Sequence, residues 1–155
     1  MRAFAWYTVR CADAVGRRPR RYTRRVSADP RQTLGALGER VAARWFAAEG
    51  YRVLARRFRS GHRDLDLVVA RGGVVAFVEV KARRGPAFGG PFAAVHWRKR
   101  RELVRSARVW VARYGRPGQA YRFDVFGVLV GRSAAGQATV RVRHLEDAFQ
   151  VPAGS

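Results

Sequence analysis

Only 11 of the 155 residues are acidic, cysteine occurs once (Cys11) and lysine twice (Lys81 and Lys99). A lone cysteine cannot staple the chain, and no spacing among Cys11, His62, His96 and His144 resembles a zinc site, which suits a reducing cytoplasm. No apolar run approaches the roughly 20 residues a membrane-spanning helix needs. The apolar start from Ala3 to Val9 is cut by Arg10 and Asp13 and followed by an arginine-rich run, which argues against a secretory leader. The scarcity of acids is the strongest of these deficits. Against 32 basic residues it leaves a net charge of +21, a field that attracts polyanions. Phosphate backbones are the expected partner, with anionic membrane a weaker rival and a merely soluble basic surface the bland alternative.

The charge is not confined to one end. Residues 1 to 31 carry nine Arg and two Asp, a net +7, so +14 of the +21 stays on the remainder and the folded surface itself must be basic. Binding should therefore survive loss of the N-terminal part. GRRPRRYTRRVSADP (Gly16 to Pro30) has little to bury and reads as a flexible basic arm. The expected organisation is an arm over 1–32, one domain over 33–150 and a tail over 151–155, since this length supports a single core.

Within the domain, Thr33 suits a helix cap, and Leu34, Leu37, Val41, Ala42, Trp45 and Phe46 form one apolar stripe that ends at Gly50. Tyr51 to Phe58 reads as a strand, with a turn at Ser60, Gly61 and His62. The apolar runs Leu65–Ala70 and Val74–Val80, joined by Arg71, Gly72 and Gly73, signal a hairpin. A loop rich in Gly and Pro follows, and Pro91 suits the first turn of a second helix continuing to Tyr114. Tyr121–Val130 and Thr139–Val142 read as further strands. The order αβββαββ predicts an α/β or α+β domain, a central sheet flanked by helices. Trp45, Phe46 and Trp110 are core candidates.

Side chains alternate along strands. In DLDLVV, Asp64, Asp66 and Val68 should share one face, with Leu65, Leu67 and Val69 on the other. In VVAFVEVKA, Glu79 and Lys81 should lie beside Phe77, opposite Val78 and Val80. Paired strands would then present Asp66, Glu79 and Lys81 to one pocket. Two carboxylates supply hard oxygen ligands for Mg²⁺ or Mn²⁺, and a neighbouring ammonium can position water and offset charge on a phosphoryl transition state. A chain that uses Arg almost everywhere yet keeps Lys at 81 and 99 adds weight, because an ammonium can be tuned by its pocket and a guanidinium cannot. A strand-end salt bridge is the plain alternative.

The segments LGALGERVAARWFAAEGYRVLARRFR, DLDLVVARGGVVAFVEVKARRGPAFGGPFAAV and YRFDV resemble the YraN family, also called UPF0102, over roughly Gly35 to Val130. That family is similar to the PD-(D/E)xK nucleases and, in its core, to Holliday-junction resolvases. The resemblance implies a restriction-endonuclease-like core, αβββαβ with a central mixed sheet, and a Mg²⁺-dependent endonuclease acting on structured or branched DNA. The alternative is a non-catalytic nucleic-acid-binding adaptor with the same fold. Asp66 and Glu79 match the metal-binding acids, Lys81 the motif lysine, and Glu39 the first-helix glutamate, which would reach a metal-bound water unless it is only a surface acid beside Arg40 and Arg44. Lys99, with Arg98, Arg100 and Arg101, matches a basic position and is expected to grip phosphate. Asp124 of YRFDV matches too, and is read as a buried polar strand residue. His96 and Trp97 invite contact with a base or sugar, though packing is the favoured reading. Where the family has Gly-Glu-Ile-Asp-Leu, this chain has Arg63, Asp64, Leu65, Asp66 and Leu67, so Asp64 is not assigned as a ligand. DNA is favoured over RNA, no membrane is expected, and resolvase-like relatives suggest testing for a homodimer.

Overall fold

Proline at the first turn sets where the leading helix starts. In the computed structural model, which describes residues 7–10, 30–85 and 95–151, helix α1 spans Pro30–Ala48, four residues longer at its start than the Thr33 cap predicts. A proline there has its φ preset and loses no hydrogen bond. At the other end Gly50 takes φ 79°, its amide bonds Ala47 O and that of Tyr51 bonds Phe46 O, and the Tyr51 and Phe46 rings meet edge to face at 5.1 Å. These bonds satisfy carbonyls that the helix end would otherwise orphan.

The strands are β1 (Tyr7–Arg10), β2 (Arg52–Ser60), β3 (Arg63–Arg71), β4 (Val74–Arg84), β5 (Ala120–Arg132) and β6 (Ala138–Leu145), with helix α2 (Trp97–Tyr114) between β4 and β5. They form one mixed sheet in the order β1-β6-β5-β4-β3-β2. The β4–β5 pair is parallel, joined through α2, and the other neighbours are antiparallel. Gly72 and Gly73, both at positive φ, make the two-residue β3–β4 turn, whose backbone demands glycine. The expected α+β architecture and element order are therefore present, with one addition. Tyr7–Arg10, within the segment read as an arm, is a strand paired with β6. Helix α2 begins at Trp97; Pro91 lies outside the described residues, as do Cys11, most of the basic arm and residues 152–155.

The helices cover opposite faces. Val41, Ala42, Ala43 and Phe46 of α1 pack with Leu67, Val69, Ala76, Val78, Phe126 and Val128, whereas Leu103, Ala107 and Trp110 of α2 pack with Leu65, Val68, Val75, Phe77 and Val125. Each Val, Leu or Phe among them contributes about 1.5–3 kcal/mol on full burial. One assignment differs from strict alternation. Leu65 joins Val68 on the α2 side instead of Leu67 and Val69 on the α1 side, so β3 breaks its period at Asp66. No helix among the described residues is long and apolar enough to cross a membrane.

Candidate active site

Strands β3 and β4 part where the acids lie. Their ladder runs from Arg71↔Val74 to Leu67↔Val78 and stops, although β4 stays paired with β5 as far as Arg84. Beyond Val78 the edge of β4 facing β3 lacks a backbone partner, and the Asp66 side chain takes that place. Its Oδ2 accepts the Val80 amide at 2.8 Å. The break is matched on β2, where Arg57 has φ 48° between the pairs Arg56↔Leu67 and Phe58↔Leu65, opposite Asp66. A left-handed backbone costs an L residue roughly 1–2 kcal/mol, so the surrounding packing must hold Arg57 there.

Glu79 projects from β4 toward α2 and is 3% exposed. Alternation puts Lys81 on the same face, as expected, and its Nζ donates to Glu79 Oε1 at 2.6 Å. Lys99 Nζ approaches the other oxygen, Oε2, from α2 at 3.2 Å. That approach lacks hydrogen-bond geometry, so Oε2 is buried without a donor. Both lysines of the chain thus converge on one carboxylate. Lys99, expected from the sequence to grip phosphate near the site, extends from the helix toward this carboxylate.

Asp66 has its pKa raised from 3.8 to about 6, first by burial and next by the Glu79 charge, with Glu39 adding to the rise while the Val80 amide and Lys99 oppose it. A carboxylate whose ionisation is opposed by burial and by a neighbouring acid forms an environment that welcomes a cation. Glu39 reaches this neighbourhood because of the residue before it. A Cβ on Gly38 would lie 2.7 Å from Ala82 Cβ and 3.3 Å from Val80 Cγ1, so only glycine lets α1 come this close to β4. Glu39 pairs with Arg57 Nε at 3.6 Å, a partnership invisible in the sequence because it depends on the irregular backbone of β2.

These groups could hold a divalent cation. Among the described residues no set of three or more His, Cys, Asp or Glu side chains gathers as a ready ligand group. A cation here would rest on Asp66 and Glu79 together with water and substrate oxygens, the manner in which Mg²⁺ is usually bound. The Lys81 side chain is 42% exposed, so the pocket is open to solvent on that side.

The remaining candidates lie elsewhere. Arg98 and Arg101 are exposed on α2 and rest over the Trp97 ring, 5.3 and 5.7 Å from its centroid. Arg100 is a brace, its Nε donating to Val95 O at 2.7 Å. His96 caps α2, its Nδ1 accepting the Arg98 amide. Trp97, for which core or rim packing was the favoured reading, is 54% exposed and so lies at the rim, not in the core. Asp124 is buried as expected, accepting from Arg122 Nε and the Asp147 amide and pairing with His144. Burial opposes the Arg122 charge, but Asp124 and Tyr51 more than compensate and raise its pKa above the ordinary arginine value.

Residues 38–128 match the Uncharacterised protein family UPF0102. The chain belongs to the UPF0102 family. It is similar to UPF0102 proteins of Chlorobaculum parvum (39% identical over 123 residues, covering 77% of this chain and 94% of the relative), Alkaliphilus metalliredigens (34% over 118 residues, 76% and 98%) and Symbiobacterium thermophilum (43% over 118 residues, 75% and 95%). The UPF0102 match begins at the Gly38 contact, takes in Glu39, Asp66, Glu79, Lys81 and Lys99, and ends on β5. Strands β1 and β6 lie outside it.

Proposed function

We propose that this UPF0102 protein is a metal-dependent nuclease that hydrolyses phosphodiester bonds in nucleic acid, with DNA of structured or branched form as its substrate. The observation that carries the proposal is the buried Glu79 carboxylate, with Oε2 lacking a donor, next to an Asp66 whose ionisation is hindered. A buried acid without full partnership costs free energy, and a cation would relieve both groups at once. The resemblance to PD-(D/E)xK nucleases supports the same roles, and the +21 charge supports a polyanionic substrate.

Asp66 and Glu79 would hold Mg²⁺ or Mn²⁺, with Glu39 oriented toward its water shell. Such an ion supplies Lewis acidity toward a phosphoryl oxygen and makes bound water more acidic. The chain's own contribution is electrostatic. Lys81, at the solvent side, can orient water and donate to a phosphate oxygen as negative charge accumulates there. Lys99, facing Glu79 Oε2 from α2, keeps that carboxylate aimed. Titrating Mg²⁺ and Mn²⁺ against labelled junction, flap and single-stranded substrates should give cleavage that chelator abolishes and that Asp66→Asn and Glu79→Gln both lose. Products that persist in Asp66→Asn would refute the assignment.

A second reading draws on the same carboxylate. Two ammoniums already lie within 2.6 and 3.2 Å of Glu79 and neutralise it without a metal, which is what a non-catalytic nucleic-acid adaptor would need. That reading expects salt-sensitive binding, no cleavage and no metal dependence.

A further inference from the structure

Helix α2 presents two unlike faces. Leu103, Ser106, Ala107 and Trp110 are buried, and Lys99 points with them toward the sheet. The opposite face carries Trp97, Arg101, Arg105 and Arg108, spaced by four, four and three residues, so they form one stripe about 16 Å long. All four are exposed. The stripe borders a groove of about 500 Å³ whose far wall is Phe149, Gln150 and Val151. No acidic side chain lines that groove, and Arg105 and Arg108 make no ion pair or hydrogen bond among the described residues.

Two features mark this face as built for a ligand. The first turn of α2 has no acid and carries Arg98, Lys99, Arg100 and Arg101 at the positive end of the helix dipole, an arrangement that works against helix stability. A half-exposed indole also stands at the head of the stripe, steadied by two guanidiniums over its ring. Charge selects the occupant. The chain's own N-terminal segment and a second copy are both strongly basic and would be repelled, so the ligand is polyanionic. The indole narrows it further, because the face of a base in a duplex is covered by its neighbours, whereas an unpaired base offers its face for stacking.

We infer that the outer face of α2 is a second nucleic-acid contact, distinct from the acidic pocket, that holds an unpaired strand with a base stacked on Trp97 and phosphates on Arg101, Arg105 and Arg108. This rests on the proposed function only in taking nucleic acid as the ligand. It deepens that reading by naming the form of the substrate, one with a single-stranded segment lying across α2 from the Asp66–Glu79 pocket. When a base occupies the ring, Arg98 and Arg101 pass from the indole to the phosphates.

The test is fluorescence anisotropy of the full chain in chelator, with an oligothymidylate of about a dozen nucleotides and a blunt hairpin duplex closed by a non-nucleotide linker as probes, paired with tryptophan quenching. Trp97→Ala should weaken single-strand binding roughly 5- to 150-fold, the range for loss of one stacked base, with Trp97→Phe restoring most of it. Hairpin affinity should change less than threefold, and in a Trp6→Phe background strand-induced quenching should disappear, since of the two tryptophans then left Trp110 is buried and Trp45 half-buried. Arg105→Ala with Arg108→Ala should flatten the salt dependence of single-strand binding by about 1.4 in log–log slope. Every one of these values is read in chelator, so a protein that never cleaves can still satisfy the inference. Equal loss of hairpin and single-strand affinity in Trp97→Ala, no loss of either, or quenching by anionic vesicles but not by the strand would overturn it.

Discussion

Asp66→Asn should make the metal-free protein more stable while abolishing cleavage. The Asp66 pKa is about 6 in the folded protein against 3.8 for the free side chain, so the folded state holds the proton more tightly. Asp66 therefore contributes fully to stability below the unfolded value, and the contribution is lost as pH rises through the folded one. At about 1.4 kcal/mol per pH unit, that gap makes the ionised residue cost about 3 kcal/mol above neutrality. Asparagine is nearly the same size, can accept the Val80 amide through its carbonyl oxygen and carries no charge. The variant should thus gain about 2–3 kcal/mol near pH 8, raising Tm by about 5–10 °C, and gain almost nothing near pH 4. Thermal and urea unfolding in chelator at both pH values would measure this. A gain equal at the two pH values, or a loss near pH 8, would show that burial and the Glu79 charge do not weigh on Asp66 as the structure implies.

Three further outcomes follow from the same geometry. Millimolar Mg²⁺ should raise the Tm of the unsubstituted chain and leave Asp66→Asn and Glu79→Gln unmoved, because a ligand stabilises only the state that binds it; differential scanning fluorimetry reads this directly. Gly38→Val should cost about 1–3 kcal/mol by overpacking against Ala82 and Val80 and should lower cleavage beyond its effect on stability, since it displaces Glu39; unchanged activity in the folded fraction would dissociate Glu39 from the site. Asp124→Ala should cost about 3–5 kcal/mol, because it leaves Arg122 and His144 inside without their shared carboxylate, and chemical denaturation should show the loss without a change in metal response.

The parts of the fold that depend on short-range rules were legible before any coordinates. The stripe from Leu37 to Phe46, the Gly50 stop and the paired glycines between β3 and β4 each follow from local backbone chemistry, and each is present. So is the sharing of a face by Glu79 and Lys81, which needs only strand alternation. The retention of lysine at 81 and 99 was a compositional clue, and its structural meaning is that both ammoniums serve one carboxylate. What stayed hidden depends on long-range packing or on exceptions to periodicity. The switch of Leu65 to the other face and the left-handed Arg57 arise from one irregularity shared by two strands, and nothing in DLDLVV or RVLARRFRS announces it. Whether Trp97 belongs to the core or the rim was not legible, because aromatic residues are usually packed; the basic run around it was the available signal for the rim. Tyr7–Arg10 is too short to separate from a charged lead-in by pattern alone.

The irregular course of β2 has a consequence for the edge of the sheet. It is the last strand on its side of the sheet, a position where a regular, flat ribbon would invite another chain to add on. A register slip between Val53 and Ala55 and the left-handed turn at Arg57 interrupt that ribbon twice, and exposed Arg52, Arg56 and Arg59 charge its rim. The distortion that frees Asp66 from its neighbours thus also denies the sheet a template for growth. Straightening this strand would forfeit both the opening and the guard against edge-to-edge strand pairing.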